Sequence, residues 1–145
     1  MPTRDIKSID EMKVFAEEVL KNLQTNVLCL EGDLGAGKTT FTQQVASIFG
    51  VKDYVTSPTF ILQKRYEVIS NPFPNLSLIS QIIHMDMYRI DDAKELEMLG
   101  FNELCKDPKN LLIIEWPEKV KDVIPANSRK ISFQFVDETT RRVQW

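Results

Sequence analysis

The segment Gly32-Asp33-Leu34-Gly35-Ala36-Gly37-Lys38-Thr39 fits the pattern G-x-x-x-x-G-K-[ST] in full. Its chemistry is polyphosphate binding. Glycines let the backbone curl so that successive N–H groups point into one concave nest. A helix starting at Lys38 would aim its positive dipole end at the same point. Backbone from Asp33 through Leu34, Gly35, Ala36 and Gly37 is expected to wrap the phosphates. Lys38 is expected to reach the β- and γ-phosphates, the Thr39 hydroxyl to coordinate Mg²⁺, and Thr40 to bond the α-phosphate. The bland alternative is a glycine-rich turn before an ordinary helix. Average composition gives that match by chance in about one chain of this length in a few hundred, so the loop reads as a site for ATP with Mg²⁺.

Phosphoryl chemistry is mostly positioning and charge stabilisation, and it needs an acid near the metal or the attacking water. Two carboxylates sit at the carboxyl ends of apolar runs, where open α/β sheets bind ligands. Asp86 follows Ile82-Ile83-His84-Met85, and Glu115 follows Leu111-Leu112-Ile113-Ile114. Candidate catalytic residues are therefore Lys38, Asp86 and Glu115, and candidate metal ligands are Thr39, Asp86 and Glu115. Composition alone leaves open how the two acids divide the work, and a charge leaving a strand into solvent is the competing reading. His84, the only histidine, reads as structural before it reads as catalytic. Arg89 reads as either phosphate-directed or solvated. Ser57 and Thr59, after the P-loop helix, are candidates for a switch that senses the γ-phosphate. A proline turn at Pro58 with Phe60 packed beneath fits them equally well.

These residues need elements to hold them. Ser8-Ile9-Asp10-Glu11 fits a capping box, and Met12, Phe15, Ala16, Val19, Leu20 and Leu23 then form one helical stripe. Val27 to Leu30 predicts a buried strand leading into the loop, and Lys38 to Phe49 a helix stopped by Gly50. Strands are predicted at Phe60 to Val68 and Leu78 to Met85, forming a hairpin with a long connection broken by Asn71-Pro72-Phe73-Pro74-Asn75. A short helix is predicted from Asp92 to Leu99, stopped by Gly100. Leu111 to Ile114 predicts a strand buried on both faces. A further helix is expected from Trp116 to before Pro125, with closing strands at Ile131 to Val136 and Arg142 to Trp145. The fold class expected is α/β, a P-loop NTPase-like three-layer fold with a mostly parallel central sheet and an antiparallel hairpin.

With 145 residues, 43% hydrophobic and 27% charged, the chain matches ordinary globular usage, which excludes disordered and fibrous classes. One domain spanning 1–145 is expected. A net charge of −3 gives no global basic field for nucleic acid. Cys29 and Cys105 read as buried thiols. No secretory h-region and no apolar run of about 18 residues is visible, so the expectation is a soluble cytoplasmic protein with no membrane partner.

Four segments occur in order: Leu30 to Phe41, Ser57-Pro58-Thr59-Phe60, His84-Met85-Asp86-Met87-Tyr88-Arg89 and Ile114-Glu115-Trp116-Pro117. Together they closely resemble the bacterial TsaE (formerly YjeE) family, from about residue 8 to the C-terminus. The resemblance implies a small P-loop ATPase serving N6-threonylcarbamoyladenosine synthesis at position 37 of tRNA. It implies work with the transferase subunits TsaB and TsaD, and contact with tRNA only through that complex. Carried over, the pattern puts Lys38, Thr39 and Thr40 on phosphates and Mg²⁺, and Asp86 and Glu115 at the metal and hydrolytic water. Trp116 matches the family's tryptophan beside that acid. Arg141 stands where a family arginine near the nucleotide would be, without its usual preceding Gly. Met12 replaces the usual threonine of the first helix.

Three rivals share the loop. A small-molecule P-loop kinase usually carries a lid with several arginines, and no such cluster lies between Arg65 and Arg89. A GTPase would carry an N-K-x-D tetrad, which is absent. A non-catalytic nucleotide-binding module would not need Lys38, Asp86 and Glu115 together. With no evident internal arginine finger, slow hydrolysis alone and faster hydrolysis with TsaB–TsaD are expected.

Overall fold

The computed structural model describes residues 1–58 and 62–145. Among the described residues seven strands form one sheet: β1 (Thr3–Ile6), β2 (Val27–Glu31), β3 (Gln63–Glu67), β4 (Gln81–Asp86), β5 (Asn110–Glu115), β6 (Arg129–Asp137) and β7 (Thr140–Gln144), in the order β1-β7-β6-β2-β5-β4-β3. The four central strands β6, β2, β5 and β4 run parallel. Antiparallel pairs flank them, β3 on β4 at one edge and β6-β7-β1 at the other.

Alternation along the strands sends side chains to two faces. Leu28, Leu30, Ile82, Leu111 and Ile113 face α1 (Ile9–Lys21) and α2 (Lys38–Ile48), where Phe15, Phe41 and Phe49 fill the layer. The ring centroids of Phe15 and Phe41 lie 5.7 Å apart. Val27, Cys29, Ile83, Met85, Leu112 and Ile114 face α3 (Lys94–Met98), α4 (Phe101–Lys106) and a 3₁₀ turn at Pro117–Val120. The result is the three-layer α/β arrangement expected. Burying each of these large apolar side chains stabilises the fold by about 1.5–3 kcal/mol. Among the described residues no helix is long and apolar enough to cross a membrane.

At α1 the Ser8 hydroxyl caps the helix, accepting from the Glu11 N–H at 3.0 Å. The Glu11 carboxylate accepts from the Lys7 N–H at 2.7 Å, one residue earlier than a capping box requires.

Several expected boundaries move. β1 was not expected; its four residues are too few for a periodic signal, and they pair Asp5 with Arg142 of β7. Gly100, at φ 70°, stops the expected helix and caps the start of α4, which was not expected. The helix expected from Trp116 is only the short 3₁₀ turn, because Pro117 follows a left-handed Trp116 (φ 56°). The expected strand from Leu78 begins instead at Gln81, with Leu78 exposed. The described part of the strand expected from Phe60 is Gln63–Glu67. Within the long β3–β4 connection, Pro74–Leu76 forms a 3₁₀ turn rather than irregular chain. It is fastened down by the Asn75 amide, which donates to the Leu20 and Leu23 carbonyls at 2.9 Å each.

Candidate active site

β2 ends at Glu31, and the chain must turn at once into α2. Gly32 makes this possible. It sits at φ 145°, and a Cβ there would lie 2.4 Å from the Phe133 carbonyl oxygen. Gly35 (φ 77°) and Gly37 (φ 112°) complete the curl, and Gly37 is the N-cap of α2. No side chain caps this eleven-residue helix, so its first N–H groups are directed at whatever the loop encloses.

Lys38 opens α2 and is buried. Its ammonium donates to the Gly32 carbonyl and lies 4.1 Å from the centroid of the Trp116 ring. Burial pushes this amine below the usual lysine range, against the opposing attraction of Glu115, Asp86, Glu118 and Asp33. Glu115 and Asp86 come from the neighbouring strands β5 and β4. Asp86 and Glu115 are paired across β4 and β5 in register, side by side at the carboxyl ends. Both are buried. Asp86 accepts from the Tyr88 N–H at 2.9 Å and from the Ser57 hydroxyl at 3.2 Å. Glu115 Oε2 lies 2.6 Å from His84 Nε2.

A cleft of about 610 Å³ joins these groups. Gly35, Gly37, Lys38, Thr39 and Thr40 line its floor, and Ser57, Asp86, Glu115 and Trp116 line one end. Arg141 lines the other end, where its Nε donates to the Gly35 carbonyl at 3.0 Å and its Nη1 to Asp137 O at 2.6 Å. Its guanidinium carbon also stands 4.5 Å from the Phe135 ring centroid. Arg141 thus braces the phosphate loop from β7. Of the sequence candidates, Leu34 also borders the cleft; Asp33 and Ala36 do not line it. Ala36 is buried, its N–H donating to the Asp33 carbonyl at 3.1 Å. Thr59 lies outside the described residues.

Sequence reasoning missed the wall beyond Arg141. Ile6, Lys7, Ile9, Glu138 and Thr139 line the cleft there, and Met12 lines it as well. The available signal was weak, because these residues come from the unforeseen β1, the start of α1 and the β6–β7 turn. Met12 is buried, and its methyl lies 3.4 Å from where a Cβ on Gly37 would stand.

The donor set suits a hard cation. Thr39 offers a hydroxyl, and Asp86 and Glu115 offer carboxylates, the oxygen ligands that Mg²⁺ takes. Among the described residues no group of three or more His, Cys, Asp or Glu could hold a metal alone. Chemically, the cleft brings a helix start with no side-chain cap together with two acids.

The sequence profile of the family described as threonylcarbamoyl adenosine biosynthesis protein TsaE matches residues 6–143. A protein from Rickettsia typhi named tRNA threonylcarbamoyladenosine biosynthesis protein TsaE is 36% identical over 138 residues, covering 94% of this chain and 88% of its own. The protein of that name from Aquifex aeolicus is 33% identical over 144 residues, covering 96% and 91%. The crystal structure of Bacillus subtilis YdiB superposes with a TM-score of 0.71 at 27% identity, covering 98% of this chain and 82% of that one. The shared fold is that of P-loop NTPases.

Proposed function

This chain belongs to the TsaE family of threonylcarbamoyl adenosine biosynthesis proteins, and we propose that it is the Mg²⁺-dependent ATPase of t⁶A37 synthesis in tRNA, acting in the cytoplasm with TsaB and TsaD. The observation that carries the reading is one cleft lined by Lys38, Thr39, Asp86 and Glu115. A phosphate-binding helix start alone would suit any nucleotide binder. Two acids at adjacent strand ends beside it suit hydrolysis.

In this reading the backbone from Asp33 to Gly37 and the hydroxyls of Thr39 and Thr40 hold the phosphates. Lys38 leaves the Gly32 carbonyl and Trp116 for the β- and γ-phosphates, where its charge offsets the charge on the transferring group. Thr39, Asp86 and Glu115 are the residues that would hold Mg²⁺, which when bound would supply positive charge to offset that of the phosphates. Glu115 orients a water in line with the γ-phosphorus. A bond forms from the water oxygen to that phosphorus, and the bond from phosphorus to the β–γ bridging oxygen breaks. The products are ADP, inorganic phosphate and the proton released from water. Ser57, which donates to Asp86, and Thr59 act as the γ-phosphate sensor in this reading. Arg141 holds the loop from the nucleotide's other side.

Arg141 is engaged with loop and turn carbonyls, so an arginine from a partner would have to supply further charge stabilisation. Such a group is worth about 10³-fold or more in this class. Steady-state hydrolysis with and without TsaB–TsaD tests the reading, alongside co-purification with and without ATP. Slow turnover alone, stimulation by the pair and ATP-dependent capture are expected. Fast turnover indifferent to the partners would refute it.

A further inference from the structure

We propose that His84 is a positioning residue, fixing the Glu115 carboxylate for the hydrolytic step; the proposal rests on the reading of Glu115 as the acid that orients water. His84 lies on β4, and Glu115 ends the neighbouring parallel strand β5. In their register His84 pairs with Ile113, and Asp86 pairs with Glu115. Residues 84, 86, 113 and 115 therefore share one face of the sheet. His84 stands one pleat behind Asp86, at the diagonal position from which a long side chain reaches across to Glu115.

The imidazole is fully buried, and its Nε2 lies 2.6 Å from Glu115 Oε2. That is the short spacing of a hydrogen bond to a charged acceptor. Its other nitrogen, Nδ1, is buried and has no hydrogen-bond partner among the described residues. A carboxylate accepts, so in this bond the proton sits on Nε2. An apolar side chain of similar volume would fill the same space without stranding a nitrogen. Among the described residues, the polar contact the ring makes that an apolar residue would not is the one to Glu115.

The consequence is orientational. A carboxylate on a flexible side chain has two equivalent oxygens and a soft terminal torsion. Donation from His84 to Oε2 selects one orientation and leaves Oε1 as the oxygen for the cleft. Loss of the donor would let Glu115 drift in the step that needs it, and small misplacements of reacting groups cost rate more than binding.

The test is single-turnover ATP hydrolysis by full-length H84F, H84Q and E115Q, with affinity for a fluorescent ATP analogue measured in parallel. H84F is expected to lose about ten- to hundredfold in rate while affinity stays within about twofold. H84Q, whose amide N–H replaces the Nε2 donor, is expected to recover most of the rate. An unchanged rate in H84F, or equal losses of rate and affinity, overturns the proposal; so does H84Q no better than H84F. If E115Q hydrolyses like wild type, the reading of Glu115 itself falls. If E115Q is slow and H84F is not, only the role of His84 falls. Should H84F fail to fold, the wild type decides. It has one histidine, so its imidazole ¹⁵N spectrum has a single pair of signals. A proton on Nε2, with a resonance that moves in E115Q, supports the bond. A proton on Nδ1 alone, or no response to E115Q, overturns it.

Discussion

The Lys38 ammonium stands 4.1 Å from the centre of the Trp116 ring while donating to the Gly32 carbonyl. Lys38 is therefore held against the tryptophan that follows Glu115, and under the proposed function nucleotide draws it away. A cation over an indole face is held by about 0.5–2 kcal/mol, less than a charge-assisted bond to phosphate provides. Magnesium ATP should change the emission of Trp116. The change should survive in W145F, because Trp145 packs on Phe15 and Arg4 in a separate corner, and it should vanish in W116F. K38A should weaken ATP binding about ten- to hundredfold, the loss of one or more bonds to a charged group. Emission that ignores ATP, or K38A binding as tightly as wild type, would refute the lysine's movement.

The two loop glycines should separate strain from clash. At Gly35 a Cβ meets nothing within 4 Å, so G35A bears only the positive-φ cost, about 1–2 kcal/mol. At Gly32 a Cβ also meets the Phe133 carbonyl oxygen at 2.4 Å. G32A should lose a further 1–3 kcal/mol or so through overpacking and should lose nucleotide binding as the loop shifts. Denaturant unfolding of both variants checks this. Equal stabilities would show that the Phe133 contact does not constrain the loop.

The β3–β4 connection should matter to stability and not to nucleotide. Asn75 ties it to the last turn of α1 through two carbonyls, away from the cleft. N75A should lose about 1–2 kcal/mol with ATP affinity intact. A parallel drop in affinity would mean that this connection communicates with the site.

Cys105 gives a pH-dependent signature. Burial pushes its thiol from 9.0 to about 11, with a smaller contribution from Cys29. Burial raises the Cys29 thiol too. A folded value above the unfolded one favours the fold below about pH 9. That contribution is lost as pH rises toward 11, because the unfolded chain then releases the proton more readily. At pH 8 the Cys105 thiolate should be about a hundredfold scarcer than in a free thiol. Thiol labelling of native protein should thus be slow, and should accelerate sharply on adding denaturant. Fast native labelling of both cysteines would contradict their burial.

Much of this site was legible in the sequence because its signals are local. Gly32 to Thr39 encodes a strand–loop–helix in eight consecutive residues. Asp86 and Glu115 each follow an apolar run, and the run before Glu115 is continuous, as in a strand buried on both faces. Residues fixed only by long-range geometry were harder. Ile6 and Lys7 reach the cleft through a four-residue strand paired to the far end of the chain, which no periodicity announces. Arg141 could be placed by resemblance, but its brace on Gly35 depends on how β7 returns past the loop. Pro117 after Trp116 resembles a helix start, yet the left-handed Trp116 limits it to one 3₁₀ turn. His84 looked like a core residue until its register opposite Ile113 set it beside Glu115.

The central claim is hydrolysis at the cleft of Lys38, Asp86 and Glu115. Single-turnover product analysis with γ-labelled ATP and Mg²⁺ tests it most directly, on the wild type and on K38A, with a mixture of small metabolites present. The account predicts ADP with all label in free inorganic phosphate from the wild type, and unreacted ATP from K38A. Label transferred to a metabolite, or ATP left intact by the wild type even with TsaB and TsaD added, would contradict it.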